Sequence, residues 1–382
     1  MSAAKKLTTE AKVPKSYPGK AANTNVRRMP PPPDVVFDVG GVLGLMMDHA
    51  DAGAIRAQPF ITLGAVLAAV GALAGRRYAS ETDLRTNLNV VGLALSGSGK
   101  DWPMKCISKI LVAAGLDHYE GGGDLSSGQS VYTALKRHPC QLFQFDEYGQ
   151  FIKAALGHKA PGYVQSIVTA FTKLATSAPD IMKGKEYAKQ DGNQGRPRED
   201  IHQPHACIFG NTVASTLWDA MKSSGLLDGS FARSLYFQSP ENYPDSRLSI
   251  RRGPPPADLV AGVRAIAAGV PGHGGGLALA EHVSYASMDP YVVPYGIGVA
   301  EDVARVVQDE DQRLRAAGHV PCAVPGTNEG EHHQGRHDPR YQPASGKPDY
   351  VPRGYRVGDY PRSLLRRYRT SRNRRRCGGR QG

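Results

Sequence analysis

The chain has five cysteines, Cys106, Cys140, Cys207, Cys322 and Cys377, and no two of them stand in a C-x-x-C spacing. An odd, scattered set argues against a disulfide framework and a cysteine-rich zinc site, and fits a reducing compartment such as the cytoplasm. His333 and His337 follow Cys322 with H-x3-H spacing, but the second thiol of a zinc site is missing. Long apolar runs are equally scarce. The one present, Phe60 to Ala74, has fifteen residues, fewer than the roughly 20 a bilayer span needs, so a buried helix and no membrane contact are expected. The basic N-terminus has no apolar stretch behind it, and no secretory signal is expected. Beyond His319 there is no Ile, Met, Phe or Trp, and a segment so poor in large apolar side chains is not expected to bury a core.

What is abundant is basic charge, and its distribution matters more than its sum. The net charge is +12, of which residues 319–382 hold +9 and residues 1–30 hold +6, leaving residues 31–318 at −3. A basic total points to an anionic partner such as nucleic acid, but the part with folding capacity is slightly acidic. Hydrophobic residues make up 40% of the chain, enough for a sizeable core and against wholesale disorder.

Two proline clusters, MPPPPD at 29–34 and RRGPPPAD at 251–258, bound a segment of about 220 residues. Within it Val35 to Arg76 reads as helices, Asn87 to Leu95 as a buried strand and Asp101 to Ala114 as a helix with Pro103 in its first turn. Ser127 to Arg137 reads as helix, Gln141 to Phe145 as strand, and Tyr163 to Ala175 as helix. Then come a strand over His205 to Gly210, a helix over Val213 to Ser223 and a strand over Ser234 to Phe237. Strands alternating with helices predict an α/β fold with a mostly parallel sheet covered on both faces. The expected organisation is a disordered basic segment (1–33), a helical region (34–80), a core (81–252), a helical region (257–318) ending in the charged amphipathic stretch 299–317, and a disordered basic tail (319–382).

The chemistry concentrates at Ala94 to Asp101, ALSGSGKD, between a strand and a helix. In a P-loop, glycines let backbone N–H groups face a phosphate, the following helix start adds a favourable dipole, and a lysine reaches the β and γ phosphates. Ser96, Gly97, Ser98, Gly99, Lys100 and Asp101 are therefore the candidate nucleotide-binding residues, with ATP and magnesium as cofactors. Two positions depart from the pattern: Ala94 replaces its first glycine, and Asp101 stands where Ser or Thr would bind magnesium. A carboxylate beside a triphosphate repels it unless it takes part in holding the ion.

About 45 residues downstream LFQFDEYG ends a strand in two acids, as a Walker B pair does. Asp146 is the candidate magnesium ligand and Glu147 the candidate base for the attacking water. Asn211, after the strand HACIFG, is placed to sense the γ-phosphate, and Arg233, before the last strand, to act as an arginine finger across a subunit boundary. Each has a plainer reading, a turn asparagine and a surface ion pair. The glycine-rich stretches EGGGD (120–124) and GHGGG (272–276) lack a strand-to-helix setting and read as loops.

The stretches RRYASETDLRTNLNVVGLALSGSGKDWPMK, LFQFDEYGQFI and GLLDGSFARSLYF resemble an uncharacterised family of phage and prophage P-loop proteins, often joined to primase-polymerase domains and described as primase-helicase-like. The resemblance covers roughly residues 35–318. It implies a three-layer P-loop NTPase core of the RecA/AAA-like kind, resembling ring-forming helicase ATPases, with helical additions at both ends. It also implies a part in replication of a mobile element, with single-stranded DNA, replication or primase proteins and further copies of the chain as partners. By the same resemblance Lys100 binds phosphate, Asp146 magnesium, Glu147 acts as base and Arg233 as finger. An acidic residue after the lysine also occurs in that family, so Asp101 is compatible with activity. The competing readings are a non-catalytic nucleotide-binding scaffold, favoured by Asp101 and Ala94, and phosphoryl transfer to a metabolite, for which no acceptor motif is present. No primase carboxylate set or zinc ribbon is visible.

The tail admits two expectations. One is a basic arm gripping DNA phosphates with steep salt dependence. The other is a frameshift near Pro325 to Gly330: read one nucleotide later from His332, allowed codons spell an apolar helix, a turn and a second helix with a capping pattern. On that reading the tail charge is accidental and the chain is a truncated, inactive remnant, which the nucleotide sequence of the gene decides.

Overall fold

The computed structural model describes residues 39–157, 160–186, 198–224, 233–239, 243–247, 250, 252–271 and 284–316. The expected basic segment (1–33), the GHGGG loop and the tail (319–382) lie outside them. In chain order, helices α1 (Gly41–Gly53) and α2 (Pro59–Ala74) are followed by strands β1 (Tyr78–Ser80) and β2 (Asn89–Leu93). Then come α3 (Asp101–Ala114), α4 (Gly128–Arg137), β3 (Cys140–Phe145), α5 (Tyr148–Leu156), α6 (Gly162–Leu174), β4 (Ile181–Met182) and β5 (Ile201–His202). The remainder is β6 (His205–Thr212), α7 (Ala214–Ser224), β7 (Ser234–Gln238), α8 (Ala257–Ala268), β8 (Tyr291–Val293) and α9 (Val299–Ala316).

Four strands form the main sheet in the order β3-β6-β2-β7, with every pairing parallel. Successive side chains on a strand go to opposite faces, and here both directions are apolar. Val90, Cys207 and Phe209 join one buried cluster with α1, α2, α3 and α8, whereas Val91, Phe143, Phe145 and Ile208 join a second with α4, α5, α6 and α7. The protein is thus an α/β fold with a parallel sheet between two helical layers, as the alternation of elements predicts.

Helix α2 is apolar all round because it is enclosed all round. The stretch Pro59–Arg77 is long and apolar enough to cross a membrane by length and composition, yet 83% of its apolar window is buried inside the protein. It lies on β2 and β6 on one side and meets α1, α3 and α8 elsewhere. Pro59 opens it, where a missing N–H is harmless, and Gly75 with φ 54° closes it. The segments read as helical before residue 80 and after 257 therefore share one core cluster with α3.

Several boundaries differ from the sequence reading. The first long strand spans Asn89–Leu93, not 87–95, because its pairing ends where Leu93 stands beside Thr212 and Gln238. Strand β6 continues past Gly210 to Thr212 for the same reason. Helix α5 was not anticipated, and β8 falls in the region read as helical, where it pairs in parallel with β1, Tyr78 opposite Tyr291. Strands of three residues carry too little periodicity to be read.

His205 begins β6 fully buried, with Nε2 3.0 Å from the Gly71 carbonyl, a contact that requires the Nε2–H tautomer. Its Nδ1 is buried and makes no hydrogen bond, so protonation would place an unsatisfied charge in the core. Burial pushes its pKa down to about 4, with the Arg85 and Arg76 charges adding to the effect against the opposing bonds to Gly71 and Thr86. The unfolded chain, titrating near 6.5, then binds the extra proton first. Stability is expected to fall as pH drops from about 6.5 to about 4, by up to roughly 3 kcal/mol from this residue. Urea unfolding of wild type and His205→Gln across that range checks this: the variant's stability should fall less steeply with pH, and an unchanged slope would remove His205 as a cause.

Candidate functional site

In a parallel sheet the strand ends and the starts of the following helices meet along one edge, where ligands of open α/β folds bind. The candidate residues converge there. After β2 the chain runs through residues 94–100 without regular structure and enters α3 at Asp101. Gly97 and Gly99 have φ of 75° and 94°, a region costly for residues with a β-carbon. Gly99 is needed for space as well, since a β-carbon there would stand 2.5 Å from the Arg56 carbonyl oxygen.

The turn is held from outside. The Ser98 carbonyl accepts a bond from Gln58 Nε2 at 2.9 Å, and Gln58 Oε1 in turn accepts one from Ser239 Oγ at 2.6 Å, tying the turn to α2 and to the end of β7. Tyr243 Oη lies 3.3 Å from the Ser96 carbonyl. Gln58, Arg56 and Tyr243 escaped the sequence reading because none belongs to a spaced motif. With the turn fixed, the start of α3 directs its positive dipole end at the turn, although the Trp102 N–H is taken by the Gly99 carbonyl at 3.2 Å and Pro103 has no N–H to offer.

Lys100 is the residue on which the strand ends meet. Although it carries a cation it is only 4% exposed. Its Nζ lies 3.4 Å from Asp101 Oδ1 and 3.8 Å from Glu147 Oε1, both carboxylates being about half exposed. Its carbonyl accepts a bond from Asn211 Nδ2 at 2.9 Å. Asn211 is not a turn residue: it lies within β6, fully buried, opposite Gly92 of β2. Asp146 and Glu147 follow β3 and are exposed, with Asp146 Oδ1 accepting the Glu147 N–H at 3.1 Å. Glu147 opens α5 with φ 54°, a conformation that costs a non-glycine residue about 1 kcal/mol or more and clusters at functional sites.

Several buried polar atoms in this region make no hydrogen bond within the protein: Ser98 Oγ, Asp101 Oδ1, Asn211 Oδ1 and Thr212 Oγ1. Buried polar groups are normally satisfied; of these, Ser98 Oγ belongs to the turn itself, Asp101 Oδ1 faces the Lys100 ammonium, and Thr212 Oγ1 lies toward Gly149 of α5.

Arg233 lies apart from this group. It is exposed and directly precedes Ser234, which pairs with Asn89 at the start of β2. From Asn89 to Leu93 the strand advances about 13 Å at roughly 3.3 Å per residue, so Arg233 sits at the opposite edge of the sheet from Lys100 and cannot serve the site of its own chain.

Compared with models of known protein families and with curated proteins, the chain matches none.

Proposed function

We propose that this protein is a magnesium-dependent nucleoside triphosphatase of P-loop type, using ATP as a helicase-like motor on single-stranded DNA. The observation that carries the reading is the buried Lys100 after a glycine turn, within ion-pair reach of Glu147 from β3 and bonded through its carbonyl to Asn211 of β6. The donor set fits a nucleotide with magnesium. A cationic Nζ, the start of α3 and the Ser98 hydroxyl of the turn, which makes no hydrogen bond among the described residues, suit phosphate oxygens. Asp146 and Asp101 offer the hard oxygens that magnesium prefers. Among the described residues no three Asp, Glu, His or Cys side chains form a metal cage, but magnesium normally takes one or two carboxylates together with phosphate oxygens and water.

In this reading Lys100 and the turn hold and orient the phosphates, and Asn211 keeps the lysine backbone in place. Glu147 takes the proton of the attacking water, and its αL backbone fixes the carboxylate at the end of β3. Bound magnesium would supply charge neutralisation on the phosphates. The resemblance to phage primase-helicase-like proteins supports replication of a mobile element, in the cytoplasm and away from membranes, as the setting. ATP turnover with and without magnesium and single-stranded DNA tests the proposal; absence of turnover under all conditions would sink it.

A second reading, a non-catalytic nucleotide-binding scaffold for replication proteins, is favoured by Asp101, whose Oδ1 stands 3.4 Å from the lysine that would meet the phosphates. It predicts nucleotide binding without hydrolysis. The frameshifted-remnant reading predicts neither, and is distinguished by the nucleotide sequence of the gene.

Because Arg233 lies at the far edge of the sheet, its role as a finger requires a ring or at least a dimer. Arg233→Ala is expected to cut turnover about a hundredfold or more with folding unchanged. A strictly monomeric protein with full turnover would remove that role.

A further inference from the structure

Residues 243–247 lie beside the glycine turn and are pinned there. In addition to the Tyr243 contact with Ser96, Arg56 Nη1 donates to the Pro244 carbonyl at 2.5 Å. The Arg247 N–H donates to the Ile55 carbonyl at 2.8 Å. The Arg247 guanidinium holds Asp51 of α1, with Nη1 3.1 Å from Oδ2 and Nη2 3.3 Å from Oδ1. Between these residues and the α1–α2 connection opens a cavity of about 410 Å³, lined among the described residues by Ile55, Ser246, Arg247, Ile250 and Arg252. It adjoins the turn, since Ile55 precedes the Arg56 whose carbonyl touches Gly99.

The lining is unsuited to a second anion. Arg247 is answered by Asp51, and Arg252 donates Nε to the Gly53 carbonyl at 3.1 Å with its guanidinium 3.9 Å from the centre of the Trp102 ring. What remains among the described residues is two isoleucines, the guanidinium groups, a hydroxyl and no carboxylate. Such a lining suits a neutral planar heterocycle, which apolar carbons and guanidinium planes cover on its faces. The volume lies within the range of small-ligand pockets.

We propose that this cavity takes the base of the nucleotide whose phosphates the turn holds, making Ile55, Arg247 and Ile250 its specificity-determining residues. The inference rests on the nucleotide reading above. Base binding then bridges the α1–α2 connection and the segment after β7, the two stretches that also hold the turn.

The test measures binding of ATP and of inorganic tripolyphosphate to the full chain by calorimetry, in wild type, Ile55→Asp and Asp51→Ala. Ile55 is 50% exposed, so aspartate there leaves the core intact while setting a charge against the base. Both variants should lose about tenfold or more in ATP affinity while binding tripolyphosphate within about twofold of wild type. ATP affinity unchanged in both variants overturns the proposal. So does equal loss of both ligands, which would assign the cavity residues to shaping the turn alone. Wild type binding tripolyphosphate as tightly as ATP removes the base site while leaving the phosphate site standing. Wild type binding neither ligand removes the nucleotide reading itself, and the base site with it.

Discussion

Lys100→Ala is expected to lower ATP affinity by about a hundredfold or more while leaving the fold intact. The size follows from burial: a cation that is only 4% exposed meets phosphate where water competes poorly, and truncating one partner of a buried charged pair costs about 2–5 kcal/mol. The retention of the fold follows from what the side chain does not hold. The Asn211 bond goes to the Lys100 carbonyl, which alanine keeps. Glu147 is about half exposed and returns to water once the ammonium is gone. Lys100→Met keeps the aliphatic stem and should behave like the alanine variant in binding, separating loss of charge from loss of packing. Calorimetry with a non-hydrolysable ATP analogue, beside urea unfolding, reads both quantities. Unchanged affinity in both variants would remove Lys100 from the site, and the nucleotide reading would lose its central residue.

Glu147→Gln should reduce turnover by about a hundredfold or more, with ATP affinity within about twofold of wild type. General-base residues contribute about 10²–10⁴ in rate, and glutamine preserves shape while removing the proton acceptor. The αL backbone is no obstacle, because glutamine meets the same steric restriction that Glu147 already meets at φ 54°. Single-turnover assays separate the chemical step from binding. Asp146→Asn should differ in kind, shifting the magnesium concentration needed for half-maximal turnover. Wild-type turnover in Glu147→Gln would take that residue out of the base role.

Much of this site was legible because its signals are local. The strand, glycine turn and helix from Asn89 to Ala114 are encoded by an apolar run, two glycines and Pro103 within a few residues of one another. Asp146 and Glu147 announced themselves as acids ending the apolar run CQLFQF. Asn211 was legible as a candidate but misplaced by its surroundings. The sequence places it after its strand, whereas pairing with β2 draws it inside β6 and makes it a buried tie to the Lys100 backbone. Helix α5 was missed because Glu147 starts it from an αL conformation, which no capping pattern in YGQFIKAAL signals.

By itself the sequence determined the α/β class and the position of the glycine turn between strand and helix, since hydrophobic periodicity and turn chemistry act over short spans of chain. It also determined that α2 is apolar around its whole circumference, and so had to be enclosed. Only the tertiary structure decided the order β3-β6-β2-β7, because which parallel strands become neighbours depends on crossovers that no local pattern records. That order sets β6 between the strands that lead to Lys100 and Glu147, and the parallel direction of β7 puts Arg233, at its start, at the opposite end of the strands from them. Tertiary structure also brought Gln58, Arg56 and Tyr243 onto the turn across separations of 40 to 147 residues. Contacts of that range are chosen by the packing of whole layers.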